Sequence, residues 1–498
     1  MGLMDMIRHR VRSFLRLEEP NPLQIQIQRE LDYTTNAAKN NIWYRGKADE
    51  LHQLYHQLRG PVTSNCFWAA SSSSGMEMRM IHTGIPSVIV DTLTGITAQN
   101  LDQFVFDSQA YDDLWEKIMK DNKFRDLLKK AIKKVLVVGD GAFKISIDTD
   151  ISEYPIIEFY AGDRVDYIYR RGRLHETIFK SEIEAEGDAQ ARYELKEIYG
   201  RGYVRYELYR NDEPAELTDI ESLQDLRNVE FGDTENRYMW AVPVKFFPSE
   251  EWEGRGKSIF DSKTDNFDAL DEAWSQWMDA LRDGRSKTYI PENLIPRDPN
   301  TGALRRPNAF DNRFISTGQN MEQNAVNKIQ TEQPTIQHDS YIATYTSALD
   351  QSLQGLISPS TLGIDIKKLD NAEAQREKEK VTLYTRSEIV EALQEDLSLL
   401  AETAVKVYFE MRSQPIPADI SCDVVFGDYA NPSFEARVET VGKARTQSIM
   451  SVEAAVEELY GDTRDDEWKA EEVKRIKEEA GTAQMEEPDY LADKSFEA

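Results

Sequence analysis

The chain has 498 residues, of which 40% are hydrophobic and 30% are charged, with a formal net charge of −29 and a pI near 4.7. This length exceeds what one hydrophobic core usually supports, so two or more structural units are predicted. A protein that binds nucleic acid over its whole surface needs a positively charged surface. The charge balance therefore excludes a general nucleic-acid-binding protein. Cys66 and Cys422 are the only cysteines and lie far apart, which predicts two reduced thiols in a cytosolic protein.

The N-terminal segment, residues 1–17, has the pattern of a basic amphipathic helix and lacks the apolar core of a signal peptide. Such a helix could contact a membrane surface, a partner protein or the rest of its own chain. No apolar run approaches the roughly 18–20 residues that a membrane span needs, and no membrane partner is predicted.

Helical and strand patterns alternate in the first half of the chain. Residues 22–57 and 107–137 have apolar side chains at helical spacing, and Pro86 is well placed to begin a helix between them. From Phe143 to about Lys245 the apolar residues alternate, with many tyrosines between Gly and Asp turns. This pattern predicts an antiparallel sheet with one face in solvent.

Residues 258–284 predict a helix roughly 40 Å long with two different sides. One side is a heptad-like apolar seam of Phe260, Phe267, Leu270, Trp274, Trp277 and Leu281. The other side is a row of carboxylates, Asp261, Asp265, Asp268, Glu272 and Asp279. Carboxylates that bind Mg²⁺ converge from different elements, so this row favours a solvated face, and no metal site is predicted.

The next segment is less regular. Residues 285–338 carry seven Lys and Arg residues against five acidic ones, a basic island in an acidic chain. Residues 340–358 are helical in pattern, and a loop with Lys367 and Lys368 follows.

A very long helix is predicted from about Asn371 to Arg412, and it would extend about 63 Å. Such a helix needs neighbours along its length, which an assembly can supply. A strand between two proline breaks follows, then helices within residues 433–480 and an acidic, flexible tail.

The sequence contains no recognisable catalytic motif. His52 and His56 have the spacing of a zinc-binding helix, but Gln53 stands where that motif has Glu, so zinc is not favoured. The stretch "GDGAFK" lacks the ending of a phosphate-binding loop and is predicted to be a turn. No cofactor is predicted.

Three stretches carry a resemblance to a known family: "HTGIPSVIVDTLTGI" (82–96), "GKSIFDSKTDNFDALDEAWSQWMDALRDGRSKTYIPENLI" (256–295) and "GLISPSTLGIDIKKLDNAEAQREKEKVTLYTRSEI" (355–389). In this order they resemble the tailed-bacteriophage portal protein family, in particular its branch from phages of Gram-positive hosts. The likeness is strongest after residue 240 and weak in residues 150–235 and in the C-terminal tail.

The resemblance implies an α+β portal fold with a mixed wing, a helical stem, a small α/β clip, a long wing helix and a helical crown. The segments would be the N-terminal region and wing (1–257), stem helix 1 (258–284), the clip (285–338), stem helix 2 (339–357), the tunnel loop (358–370), the long wing helix with a returning strand (371–432), and the crown with the acidic tail (433–498). Portal proteins assemble as a ring, normally of twelve copies.

The resemblance also implies a function in the virion, at one capsid vertex, after assembly in the host cytoplasm. Double-stranded DNA would pass through the ring without sequence specificity during packaging and ejection. The implied partners are the terminase large subunit, a head-completion or adaptor protein, and the major capsid and scaffolding proteins.

Three groups of residues receive expected roles from this resemblance. The DNA-facing tunnel loop would use Ser358, Thr361, Lys367 and Lys368. The acidic row of residues 261–279 would line the tunnel, because walls that repel phosphate let DNA slide. Docking of the motor or adaptor by the clip would use Arg297, Arg305, Arg306 and Arg313.

Two other classes stay open at this point. The acidic row could belong to a metal-dependent DNA-processing enzyme, or the helical pattern could belong to a scaffold that binds only proteins. A structural ring without enzymatic activity is the prediction that the resemblance favours.

Overall fold

The computed structural model describes residues 31–58, 66–70, 78–184, 192–232, 237–291, 298–302, 314–317, 329–364, 372–417, 420–427, 434–447, 449–460 and 466–479. The predicted N-terminal helix and acidic tail lie outside these ranges. The chain divides into two compact units, Met1–Gly427 and Asp428–Ala498. Both cysteines are free. In the described part of the chain, no helix has the length and apolar character to cross a membrane.

Five helices occupy the first part of the larger unit as the structure describes it: α1 Tyr33–Arg45, α2 Ala48–Gln57, α3 Ile85–Ala98, α4 Gln109–Asp121 and α5 Phe124–Val138. Helix α1 begins where the Asp32 carboxylate accepts a hydrogen bond from the Thr35 N–H, 2.7 Å away. Pro86 lies in the first turn of α3, as predicted.

The sequence predicted one helix where the structure has two, at two places. Gly46 adopts a left-handed conformation (φ 66°) and ends α1 before α2 starts. The predicted helix over residues 107–137 is likewise divided, because Lys123 has a φ of 48° between α4 and α5. A glycine marks the first break in the sequence, and the second directly follows Asn122, the C-cap of α4.

The strands of the larger unit form four sheets in the described residues. Their bounds are β1 Leu101–Phe106, β2 Asp140–Ser146, β3 Ile156–Ala161, β4 Val165–Arg170, β5 Arg173–Glu184, β6 Arg192–Gly200, β7 Tyr203–Arg210, β8 Glu213–Ala215, β9 Val229–Glu230, β10 Ala241–Lys245, β11 Lys287–Pro291, β12 Phe314–Thr317, β13 Gln330–Glu332 and β14 Cys422–Phe426.

The predicted antiparallel region is confirmed as two sheets. One has the order β10-β2-β3, and the other has the order β4-β5-β6-β7-β8 with β9 paired to β7. Strand β2 is the central strand of the first sheet and is buried, with α5 packed against it and Phe143 fully buried. Many other side chains of these strands alternate between buried and more exposed positions, as in β6, which agrees with the predicted period of two.

Three further helices complete the larger unit: α6 Thr264–Asp283, α7 His338–Leu353 and α8 Ala372–Met411. The long helix is confirmed, since α8 has 40 residues and extends about 60 Å. Leu393, Leu397 and Leu400 form a buried seam on it. The Gln394 amide donates to the Val424 carbonyl of β14, 3.1 Å away. Its C-terminal half is therefore held by the sheet that β14 forms with β1.

The smaller unit is helical, as predicted, with α9 Phe434–Thr446, α10 Val452–Tyr460 and α11 Asp466–Glu479. Lys469 pairs with Glu457 at 3.1 Å, and Lys477 pairs with Glu453, so two ion pairs join α10 to α11. Tyr460 packs edge-on against a tryptophan of α11.

Candidate functional site

The candidate site consists of α6, α7 and the loop that follows α7. Helices α6 and α7 pack through aromatic side chains. Trp277 stacks on Tyr341 with ring centroids 6.5 Å apart and planes within 7°, and Trp274 lies 5.2 Å from Tyr345. Such pairs add about 0.5–1.5 kcal/mol beyond the area that they bury. Trp274 and Trp277 of the predicted seam therefore hold the helix pair together within one chain. In contrast, Phe267 of the seam packs against Trp43 of α1, and Leu281 is 42% exposed.

The opposite side of α6 is not the continuous solvated row that the sequence predicted. Asp268 is buried, with 7% exposure. Its two carboxylate oxygens accept hydrogen bonds from the backbone N–H groups of Phe67 and Trp68, at 2.8 and 3.2 Å. Burial raises the pKa of Asp268 to about 6, although these two hydrogen bonds oppose the rise. Asp268 is thus withdrawn as a lining residue, because it is covered by the segment around Trp68.

Asp261 also has a partner within the chain. One of its oxygens accepts from the side-chain amides of Asn36 and Asn40 in α1, at 2.8 and 2.9 Å, and the other accepts from the Ser258 N–H at 2.8 Å. The residue is half-buried and ties α1 to the start of α6. This corrects the prediction that Asp261 faces solvent in the same row.

The sequence reading missed the most deeply hydrogen-bonded carboxylate of α6, Asp271. Its Oδ1 accepts from both the N–H and the hydroxyl of Thr83, each at 2.8 Å. Its Oδ2 lies 2.7 Å from His82 Nδ1 and 3.2 Å from Trp68 Nε1. Asp271 is fully buried, so it fixes α6 against the chain segment that leads into α3. The sequence signal for this role was the position of Asp271 on the helix, between the apolar seam and the predicted acidic row.

The other three acidic residues of the row remain accessible. Asp265 and Glu272 are exposed, and Asp279 is half-exposed beside Arg282, whose guanidinium is 3.4 Å away. The Glu272 carboxylate accepts a hydrogen bond from the Gln276 amide of the next turn, at 2.8 Å. We define Asp265, Glu272 and Asp279 as the acidic face of α6.

The loop after α7 is anchored to α8 by two residues, Ser358 and Thr361, that were predicted to contact DNA. Ser358 is buried, and its backbone N–H donates to the Thr382 hydroxyl of α8 at 2.9 Å. The Thr361 hydroxyl lies 3.0 Å from the same oxygen. The loop then turns at Gly363, which has a φ of 69°. The prediction that Ser358 contacts DNA is therefore corrected, because Ser358 and Thr361 fasten the base of the loop to α8.

The remaining predicted site residues lie outside the described residues. These are Lys367 and Lys368, which follow Gly363 in the sequence, and Arg297, Arg305, Arg306 and Arg313, which lie in the sequence between α6 and α7. The described strands of that region form one small sheet, in which β11 pairs with β12 in parallel and with β13 antiparallel. The interval between α6 and α7 therefore contains three short strands in its described residues.

The described residues hold no group of three or more His, Cys, Asp or Glu side chains that could bind a metal ion. The rings of His52 and His56 are 4.2 Å apart, and His52 Nδ1 lies 3.0 Å from the Trp68 carbonyl oxygen. His52 therefore connects α2 to the segment at Trp68, which is a structural role.

The described architecture is that of a structural α+β protein built on an anchored helix pair and one very long helix. The family model described as "Phage portal protein, SPP1 Gp6-like" matches residues 25–486, which is most of the chain. The chain belongs to this family. It is a portal protein of the capsid vertex, and the family is a structural, non-enzymatic one, so the enzyme reading is wrong.

Comparison with solved structures gave weaker likenesses. A chain from "Virion of native gene transfer agent (GTA) particle" is 12% identical, with 78% of this chain and 89% of that chain covered and a TM-score of 0.39. A chain from "Neck of native GTA particle computed with C12 symmetry" is 13% identical, with coverages of 76% and 90% and a TM-score of 0.39. Among curated proteins, none matches the chain. The family assignment rests on the family match.

Proposed function

We propose that the protein assembles as a closed ring, normally of twelve copies, and that double-stranded DNA passes through its centre during packaging and ejection. The family match over residues 25–486 is the observation that carries this proposal. The ring would form in the host cytoplasm and dock the terminase large subunit, then a head-completion or adaptor protein. It would also contact the major capsid and scaffolding proteins.

The acidic face of α6 suits the wall of such a channel. Two unit charges 4 Å apart interact by only about 1 kcal/mol in water, and by less at larger separations. Repeated in every copy, the exposed carboxylates of Asp265 and Glu272 would produce a negative wall on which DNA phosphates find no cation to bind. In this proposal α6 and α7 are the two stem helices and residues 285–338 form the clip.

Negative-stain microscopy of the purified full-length protein tests the ring. We expect ring-shaped particles with a central hole. A monomer, or an oligomer without a hole, would contradict the proposal and favour a helical scaffold that binds only proteins.

We expect Lys367 and Lys368 to form a sparse basic ring that touches the DNA backbone weakly. The buried base of their loop at Ser358 holds the start of this segment next to α8, which supports the proposal. The double change to alanine is expected to reduce packaging or retention of DNA while rings still form. Packaged DNA per particle is the measurement, and unchanged packaging and retention in the double variant would refute this role.

The arginines of the proposed clip are expected to contact the motor or the adaptor. Reversing the charge of Arg305 and Arg306, each to glutamate, should abolish docking because a basic surface becomes acidic. Pull-down of the terminase large subunit and of the adaptor by preassembled rings measures docking, and microscopy of the same sample verifies the ring. Normal docking of both partners by the reversed variant would exclude this surface.

A further inference from the structure

A second charged surface of the protein lies on α4 and α5, away from the residues discussed so far. Residues 117–134 contain eight Lys and Arg residues and two acidic ones, whereas the first part of α4 carries Asp112, Asp113 and Glu116, in a chain whose net charge is −29. Six of the cations are exposed and have no ion pair with any residue that the structure describes: Lys117, Lys120, Lys123, Arg125, Lys129 and Lys130. We call these six residues the basic patch.

The scaffold under the basic patch is rigid. The inner side of α5 is fully buried, with Phe124, Leu128 and Ile132 each at most 1% exposed. The turn between the helices is fixed by Asn122, whose side chain accepts from the Ile157 N–H at 2.7 Å and donates to the Pro155 carbonyl at 2.9 Å. The cations therefore project from a surface whose backbone is already ordered.

Two neighbouring lysines on α5 differ from the patch because they have partners. Lys133 pairs with Asp91 of α3 at 2.7 Å, and Lys134 donates to the Asn41 side chain at 3.3 Å. Tyr44 also lies under Lys133, with its ring centroid 5.6 Å from Nζ. Lys133 and Lys134 therefore have polar partners within the fold, whereas the side chains of the six patch residues form no ion pair in the described part of the chain.

The chemistry of the patch fits a phosphate backbone better than a protein. Large apolar side chains form the anchors of protein interfaces, and lysine is depleted there. Neither α4 nor α5 contributes any of the large hydrophobic residues that are exposed by more than a third. Sequence-independent binding of DNA, in contrast, consists mainly of Lys and Arg contacts to phosphates. From Lys123 to Lys130 the patch extends about 10 Å along the start of α5, the rise of roughly three phosphates along one strand.

We propose that the basic patch binds the phosphate backbone of double-stranded DNA that lies outside the channel. The proposal rests on the proposed function, because the ring brings the protein and the genome together. The patch would hold DNA against the body of the portal, whereas the acidic face of α6 would keep the DNA inside the channel free to slide.

The test uses preassembled full-length rings and covalently closed circular DNA, which cannot thread a closed ring. Retention of the DNA by immobilised rings is measured from 50 to 200 mM salt. The triple variant Arg125→Gln, Lys129→Gln, Lys130→Gln is expected to bind at least tenfold more weakly at 50 mM salt. The logarithm of the binding constant falls with the logarithm of the salt concentration, and the slope of this line should be smaller by about three in the variant. Each phosphate contact contributes roughly 0.9 to that slope.

The matched control removes the same charge elsewhere. Arg170, Arg171 and Arg173 are exposed at the turn between β4 and β5, and their triple change to glutamine is expected to leave binding within about twofold. Equal losses in both triple variants would overturn the proposal, because net charge rather than a site would then explain binding. So would wild-type rings that do not bind circular DNA at all.

The experiments distinguish a failure of the basic patch from a failure of the proposed channel. Rings that pass linear DNA but ignore circular DNA would refute the basic patch and leave the channel intact. A patch variant that binds circular DNA normally but is not incorporated into capsids would show that an acidic protein is the partner, which also overturns the proposal.

Discussion

Replacement of Asp271 with alanine is expected to lower the free energy of unfolding by about 3–5 kcal/mol. Four donors, from Trp68, His82 and Thr83, would lose the fully buried carboxylate that accepts their hydrogen bonds. Each buried polar group left without a partner costs about 1–3 kcal/mol. Chemical denaturation at a fixed protomer concentration measures the effect, because assembly adds to the apparent stability.

The neighbouring position supplies the control for this prediction. Glu272 follows Asp271 in the same helix turn but is exposed, so Glu272→Ala is expected to change stability by no more than about 0.5 kcal/mol. Similar losses in the two variants would mean that helix propensity, and not the buried hydrogen bonds, determines the effect. An unchanged stability of Asp271→Ala would contradict the described role of Asp271 as the anchor of α6.

The double change Asp265→Lys and Glu272→Lys is expected to reduce DNA packaging at least tenfold while rings still assemble. Each copy would gain four units of positive charge on the acidic face of α6, and a twelve-membered ring would repeat this gain twelve times. A wall that repels phosphate would become one that binds it, and translocating DNA would be retained there. Packaged DNA per capsid is the measurement, with ring formation verified by microscopy.

A variant with the same charge change at another surface shows whether packaging depends on the acidic face of α6 or on the net charge of the protein. Glu221 and Asp225 are exposed in the segment between β8 and β9, and their double change to lysine should leave packaging near the wild-type level. A neutral variant, Asp265→Asn with Glu272→Gln, should fall between the wild type and the lysine variant. Normal packaging by Asp265→Lys with Glu272→Lys would exclude the acidic face as the wall.

The elements that local periodicity defines could be predicted from the sequence. The three-and-four spacing of Leu393, Leu397 and Leu400 predicted α8 almost to its ends, because one side of a helix must be apolar to be buried. The alternating pattern around Phe143 predicted the antiparallel sheets for the same reason. The break at Lys123 was missed, since lysine rarely adopts a positive φ and the available signal was the neighbouring Asn122, which caps α4.

The candidate site was predicted less completely, because its partners are distant in sequence. Asp268 and Glu272 are one helical turn apart and belong to the same predicted row, yet one is buried and the other is exposed. The difference comes from the segment at Trp68, which is 200 residues away along the chain. Ser358 was assigned to DNA for a similar reason, since its anchor in α8 became visible only when the fold placed Thr382 beside it.

A density map of the assembled ring tests the central claim most directly, because it shows which side of α6 faces the hole. We expect the side chains of Asp265 and Glu272 to point into the channel, with Asp268 and Asp271 buried within each subunit. A ring in which the acidic face of α6 points to the outside, or lies between subunits and away from the hole, would contradict the account.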